Sequence, residues 1–243
     1  MWGWFAGIPR RTDVPYSQRM LALEPLLYYP LSQTAGTTVE DLGDNGYNGT
    51  ASGVTWGADG IGDGLTAATF DGVNAYISFP VSFLGVHNYR DTGTLLVWVK
   101  RDSGAAGDRY ALRLANTSLF SPYDLAVHSD WHETDQWVVR IFRQDTSGTV
   151  GLYALLTPGE WTCVVGTWDA AADALKLYIN GELAGTTSGL SAAGSATLTS
   201  SDTQIGASVY AKAPLDGWAG DLAHVALFTE VLNDDVIAGL AGV

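Results

Sequence analysis

At 243 residues and 25.8 kDa the chain suits one large all-β domain, and 47% hydrophobic residues supply an ample core. Its 29 glycines favour many tight turns over long helices. A formal net charge of −14 and a sequence pI of about 4.4 work against nucleic acid and anionic membrane as partners. The lone Cys163 excludes a disulfide framework and a cysteine-based zinc site. No apolar run is long enough to span a bilayer.

Residues 1 to about 24 show neither helical nor strand periodicity, and Pro9 and Pro15 interrupt them. Trp2, Trp4 and Phe5 crowd one end, while Arg10, Arg11 and Arg19 concentrate positive charge in an otherwise acidic chain. Burying a large apolar side chain is worth about 1.5–3 kcal/mol. This extended N-terminal arm therefore packs back on its own domain or docks on a partner, and its charge favours an acidic one. The apolar stretch precedes Arg10-Arg11, the reverse of a secretory signal, so the expected place of synthesis and first use is a cytoplasm.

The β pattern begins at Leu26, and Gly, Asn and Asp then dominate residues 43–64 as turns and short edge strands. Residues 66–70 and 75–79 flank Asp71-Gly72-Val73-Asn74, which reads as a hairpin. Residues 94–100 (TLLVWVK) are apolar on both faces and so belong to a central strand. Strands at 110–114, 123–128, 136–142 and 150–155 follow at sandwich spacing. Residues 161–168 again bury both faces and place Cys163 in the core as an inert hydrophobe. Leu175, Leu177 and Ile179 recur at period two before Asn180-Gly181, a type I′ turn signal that returns the chain along 182–187. Strands at 204–209 and 219–228 end the pattern. Asn233 as N-cap, Asp234 and Asp235, and the stripe Val236, Ile237, Leu240 predict one short C-terminal helix.

Three blocks carry a family resemblance. The opening runs LLYYPLSQTAGTTVEDLGDNGYNG to FDGVNAYISFP, the central hairpin is WTCVVGTWDAAADALKLYINGELAG, and the close is WAGDLAHVALFTEVLNDDVIAGL. Together they resemble laminin-G-like, concanavalin A-like jelly-roll domains, of the stand-alone type encoded by tailed bacteriophages. The resemblance covers about residues 25 to 243 and implies an all-β, two-sheet antiparallel jelly-roll sandwich behind an arm of residues 1–24. It implies a structural calcium ion or none: the matching positions are Asp41, Asp44 and Asn45, with Asp71 nearby. In the final strand the position usually filled by Asp is Ala223, followed by His224, with Asp221 two residues earlier. The same acids also suit Asx-turns.

Glycoside hydrolases on this fold carry Glu-x-Asp-x-x-Glu along one strand. The nearest match, Glu133-Thr134-Asp135-Gln136-Trp137, lacks the third acid, so no enzymatic activity is expected. Residues 128–135 gather His128, Asp130, Trp131, His132, Glu133 and Asp135. As a metal site this has no recognised spacing, and as a hairpin tip it is ordinary, apart from its tryptophan. Trp131 with Tyr123 suits stacking on a sugar ring, flanked by His128 and Asp130. The resemblance thus implies a non-catalytic virion accessory of head or tail, assembled in the host cytoplasm. It would dock through Trp2, Trp4, Phe5, Arg10 and Arg11 on other virion proteins or copies of itself. The alternative is a carbohydrate-binding, lectin-like module, calcium-dependent or stacking. Neither reading involves nucleic acid or membrane insertion.

Overall fold

A computed structural model describes residues 14–86, 88–103, 109–116, 123–132, 136–145, 148–191, 198, 203–207 and 217–243. The chain opens with α1 (Tyr16–Leu21), β1 (Leu27–Tyr29), β2 (Thr38–Val39), β3 (Gly49–Ser52), β4 (Thr55–Asp59), β5 (Thr66–Asp71), β6 (Tyr76–Ser78) and α2 (Val81–Leu84). The middle strands are β7 (Thr92–Arg101), β8 (Arg109–Asn116), β9 (Tyr123–His132), β10 (Gln136–Asp145) and β11 (Gly148–Leu155). There follow β12 (Thr162–Asp169), β13 (Ala174–Ile179), β14 (Glu182–Thr187), β15 (Gln204–Ile205), β16 (Ala219–Phe228) and α3 (Asp234–Leu240).

Two eight-stranded antiparallel sheets stack. The first runs β14-β13-β12-β7-β16-β5-β4, with β1 also paired to β16; the second runs β11-β10-β9-β8-β15-β6-β3-β2. Their facing surfaces enclose the main core. Leu95, Val97 and Val99 of β7 and Val164 and Trp168 of β12 point into it. The alternate residues Leu96, Trp98, Cys163 and Val165 are buried on the opposite face of the first sheet. Both strands are therefore apolar on two sides because each side has a cover, as their sequences anticipate. Gly93 is required here, since a Cβ would lie 2.5 Å from the Trp168 ring. Cys163 is fully buried, which pushes its thiol far above its ordinary pKa and leaves it inert.

The cover on the outer face consists of α1, α3 and the loop holding Ile61. The C-terminal helix begins where expected, with the Asn233 side chain accepting from Val236 N–H at 2.9 Å. Helix α1 departs from the expected unpatterned arm. Its six residues are too few to show a period, yet Tyr16 and Met20, one turn apart, are both buried against the first sheet. Arg19 fixes it further, donating to Gly239 O at 3.0 Å and Gly242 O at 2.9 Å around the end of α3. Residues 14–24 thus belong to the packed domain.

The turn at Asn180-Gly181 forms as its sequence requires, with φ of 50° and 85° and Ile179 paired to Glu182. Residues 71–74 correct a second expectation. They do not close a hairpin: β5 lies in the first sheet and β6 in the second, so the segment is a corner between sheets. Asp71 Oδ1 organises that corner by accepting from Val73, Asn74 and Ala75 N–H at 2.8, 2.8 and 2.9 Å. Asp71 and Gly72 carry identical turn signals in both geometries, so local sequence cannot distinguish them.

Candidate functional site

The turn after β2 is built around Asp41. Its Oδ1 accepts from Tyr28 N–H at 2.8 Å and Gly43 N–H at 3.0 Å, and its Oδ2 accepts from Tyr47 N–H at 2.9 Å. Asn45 Nδ2 donates to Leu26 O at 3.0 Å, locking the amide and leaving Oδ1 as an acceptor. Gly43 permits close approach to the neighbouring loop, because a Cβ there would meet Pro25 O at 3.1 Å. Glu24, opposite, holds a left-handed φ of 51°, a conformation that costs a residue with a Cβ about 1–3 kcal/mol.

A cleft of about 360 Å³ opens between these segments at the rim of the sandwich. Glu24, Asp44, Asn45, Asn88 and Thr229 supply its polar lining, and all five are exposed. Leu21 and Leu42, 36% and 37% exposed, give it an apolar side. Among the described residues neither Lys nor Arg lines it.

Of the four expected calcium ligands, the structure brings Asp41, Asp44 and Asn45 to one turn and leaves Asp71 in the separate corner. The group does not fit the ion: Asp41 and Asp71 already engage three backbone N–H groups each. Among the described residues no three His, Cys, Asp or Glu side chains converge to hold a metal. For Asp71, burial raises the carboxyl pKa, but the Val73, Ala75 and Asn74 N–H groups outweigh that and hold it below the ordinary value.

His128 is 4% exposed, with its ring stacked on Tyr110 at a centroid distance of 5.1 Å. It lies on β9 in the second sheet. The side chains of Tyr123, Asp130 and Trp131 lie outside the described ones. Trp131 pairs with Trp137 across β9 and β10. Trp2, Trp4, Phe5, Arg10 and Arg11 lie outside the described residues, as do Glu133 and Asp135.

The sequence reading missed a buried polar trio under α1. His224 Nδ1 lies 2.8 Å from Tyr28 Oη and its Nε2 3.1 Å from Asp63 Oδ2, and the His224 and Asp63 side chains are 1% and 4% exposed. Tyr16 covers the imidazole at 4.4 Å between centroids and accepts from Trp98 Nε1–H at 2.8 Å. Burial and the Asp63 charge push the Tyr28 hydroxyl pKa well up, so it stays protonated. Burial raises the Asp63 carboxyl, but the His224 imidazole and Leu65 N–H outweigh it and hold it below the usual carboxylate range. His224 sits at φ 49° in a bulge where β16 passes from β5 to β1, and these bonds offset that backbone cost. In the sequence Asp63 lies in the Gly-rich stretch 60–64 and His224 follows the Ala223 position in the final strand, and neither names the other.

Comparison with known proteins places this geometry. Domain 4 of AbnA, a GH43 extracellular arabinanase from Geobacillus stearothermophilus solved with arabinotriose, superposes with a TM-score of 0.64 at 15% identity, covering 90% of this chain and 98% of that one. A Trypanosoma rangeli sialidase gives a TM-score of 0.64 at 19% identity, covering 90% of this chain and 32% of the sialidase. The chain thus spans about a third of that enzyme's length. The Ruminococcus gnavus IT-sialidase CBM40 bound to α2,3-sialyllactose gives 0.52 at 16% identity, covering 64% of this chain and 85% of that one. These likenesses establish the fold. No curated protein matches the sequence. The family described as the concanavalin A-like lectin/glucanases superfamily matches residues 71–238, well over half the length, and the chain belongs to it.

Proposed function

We propose that the protein is a non-catalytic, lectin-like module that binds glycans in the rim cleft. The cleft itself carries the reading: polar side chains from four separate segments, with two leucines beside them, surround a space of about 360 Å³. Sugar recognition needs that mixture, hydroxyl partners on one side and an apolar surface for ring C–H groups on the other. Two structural relatives, the arabinanase domain and the CBM40, are each seen with an oligosaccharide. Binding proceeds without calcium, because Asp41 is engaged by backbone N–H groups. A glycan array probed with the full chain in EDTA tests this. Signals lost on Leu42→Arg support the reading, and a silent array with and without calcium overturns it.

A second reading is a tailed-phage virion accessory anchored by the arm. Its support is the sequence resemblance together with the clustering of Trp2, Trp4, Phe5, Arg10 and Arg11 ahead of α1. The two readings are compatible, since the arm would anchor and the cleft would face outward. Antibody labelling of purified particles, lost when Trp2 and Trp4 are both replaced by Ala, is the expected result. A monomeric chain absent from particles would contradict it.

A further inference from the structure

We infer that the rim cleft selects uncharged, hydroxyl-rich saccharides and rejects carboxylated ones, an inference that rests on the glycan-binding reading above. Two structural relatives carry opposite ligand chemistries, since arabinotriose is neutral and sialyllactose bears a carboxylate. The lining decides between them.

Glu24 and Asp44 are exposed side chains that, when ionised, only accept hydrogen bonds. Asn45 adds its Oδ1 as an acceptor, with one of its two Nδ2 hydrogens committed to Leu26 O. Thr229 and Asn88 can both donate and accept, and among the described residues no Lys or Arg lines the cleft to meet an anion. Acceptors thus outnumber donors, so a complementary ligand must bring donors. Vicinal sugar hydroxyls do so, and a carboxylate brings further acceptors and a like charge. The formal net charge of −14 adds to that repulsion from a distance.

The cleft is also set before a ligand arrives. Asp41 pins its turn through three N–H groups, and the Gly43 approach to Pro25 leaves that wall little freedom. Little ordering remains to oppose binding. At about 360 Å³ the space lies at the small end of ligand sites, roughly 300–1,000 Å³. It accommodates the end of a chain, not a long run of residues. Leu21 and Leu42 then meet one C–H face while the acids hold hydroxyls on the other side.

The test is isothermal titration of the full chain with arabinotriose, lactose and 3′-sialyllactose, the last two differing only in the sialic acid. At least one neutral saccharide should bind, and sialyllactose should bind about tenfold or more weaker than lactose at low salt. Asp44→Ala should weaken neutral binding about tenfold, and Leu42→Arg should abolish it. Glu24→Gln with Asp44→Asn should narrow the gap between lactose and sialyllactose. Sialyllactose binding as tightly as lactose would overturn the selectivity while leaving glycan binding intact. Neutral binding indifferent to both Asp44→Ala and Leu42→Arg would also overturn the inference, placing the site elsewhere. If none of the three binds and a wider glycan array is silent, the glycan-binding reading itself fails.

Discussion

Two polar clusters meet at Tyr28 and differ in what their side chains do. Its backbone N–H donates to Asp41 beneath the rim cleft, and its hydroxyl bonds His224 in the trio under α1. In the trio Tyr28, His224 and Asp63 contact one another away from water. In the cleft Asp41 is the buried counterpart, 7% exposed, and Asp44 three residues later is exposed. A carboxylate held by backbone N–H groups builds the site, and its exposed neighbour is the one able to meet a ligand.

That contrast breaks most visibly at His224. Replacing it with Leu leaves a buried Asp63 carboxylate and the Tyr28 hydroxyl without their partner, and should cost about 3–5 kcal/mol in urea unfolding. A loss within about 1 kcal/mol would mean the trio contributes little. Asp41→Ala should cost about 2–3 kcal/mol, since three backbone N–H groups lose their acceptor. It should weaken glycan binding as well, because the cleft wall depends on that turn.

Acid sharpens the same comparison. Asp63 titrates below its ordinary value in the folded chain, so its stabilisation is complete above that value. It is lost as pH falls through the carboxylate range toward the lower folded pKa. Stability should therefore drop more steeply between about pH 5 and 3 in the native chain than in Asp63→Asn. Equal slopes would contradict the assignment. The smallest stability effect belongs to the cleft: Asp44→Ala should leave unfolding within about 0.5 kcal/mol of the native chain while weakening saccharide binding.

The strands were readable because their information is local. Leu95 to Val99 and Cys163 to Val165 show in a few residues that both faces are buried, and Asn180-Gly181 names its own turn. Other features combine segments far apart in sequence. Asp63 and His224 meet only when the 60–65 loop folds across β16, and the cleft draws on Leu21, Asp44, Asn88 and Thr229. The early-turn acids stand out in the sequence as calcium-ligand candidates, and Asp44 and Asn45 line the cleft. Helix α1 is short enough that Tyr16 and Met20 form a stripe only once the sheet beneath them exists. Among the described residues no helix is long and apolar enough to cross a membrane, in line with the absence of a long apolar run.

The most direct measurement of the central claim is titration of lactose and arabinotriose into the native chain and Leu42→Arg, at matched concentration and in EDTA. Saturable binding of at least one of the two by the native chain and none by the variant is expected, with both proteins folded to the same melting temperature within a few degrees. Equal binding by the two proteins would contradict the assignment of glycan recognition to the rim cleft.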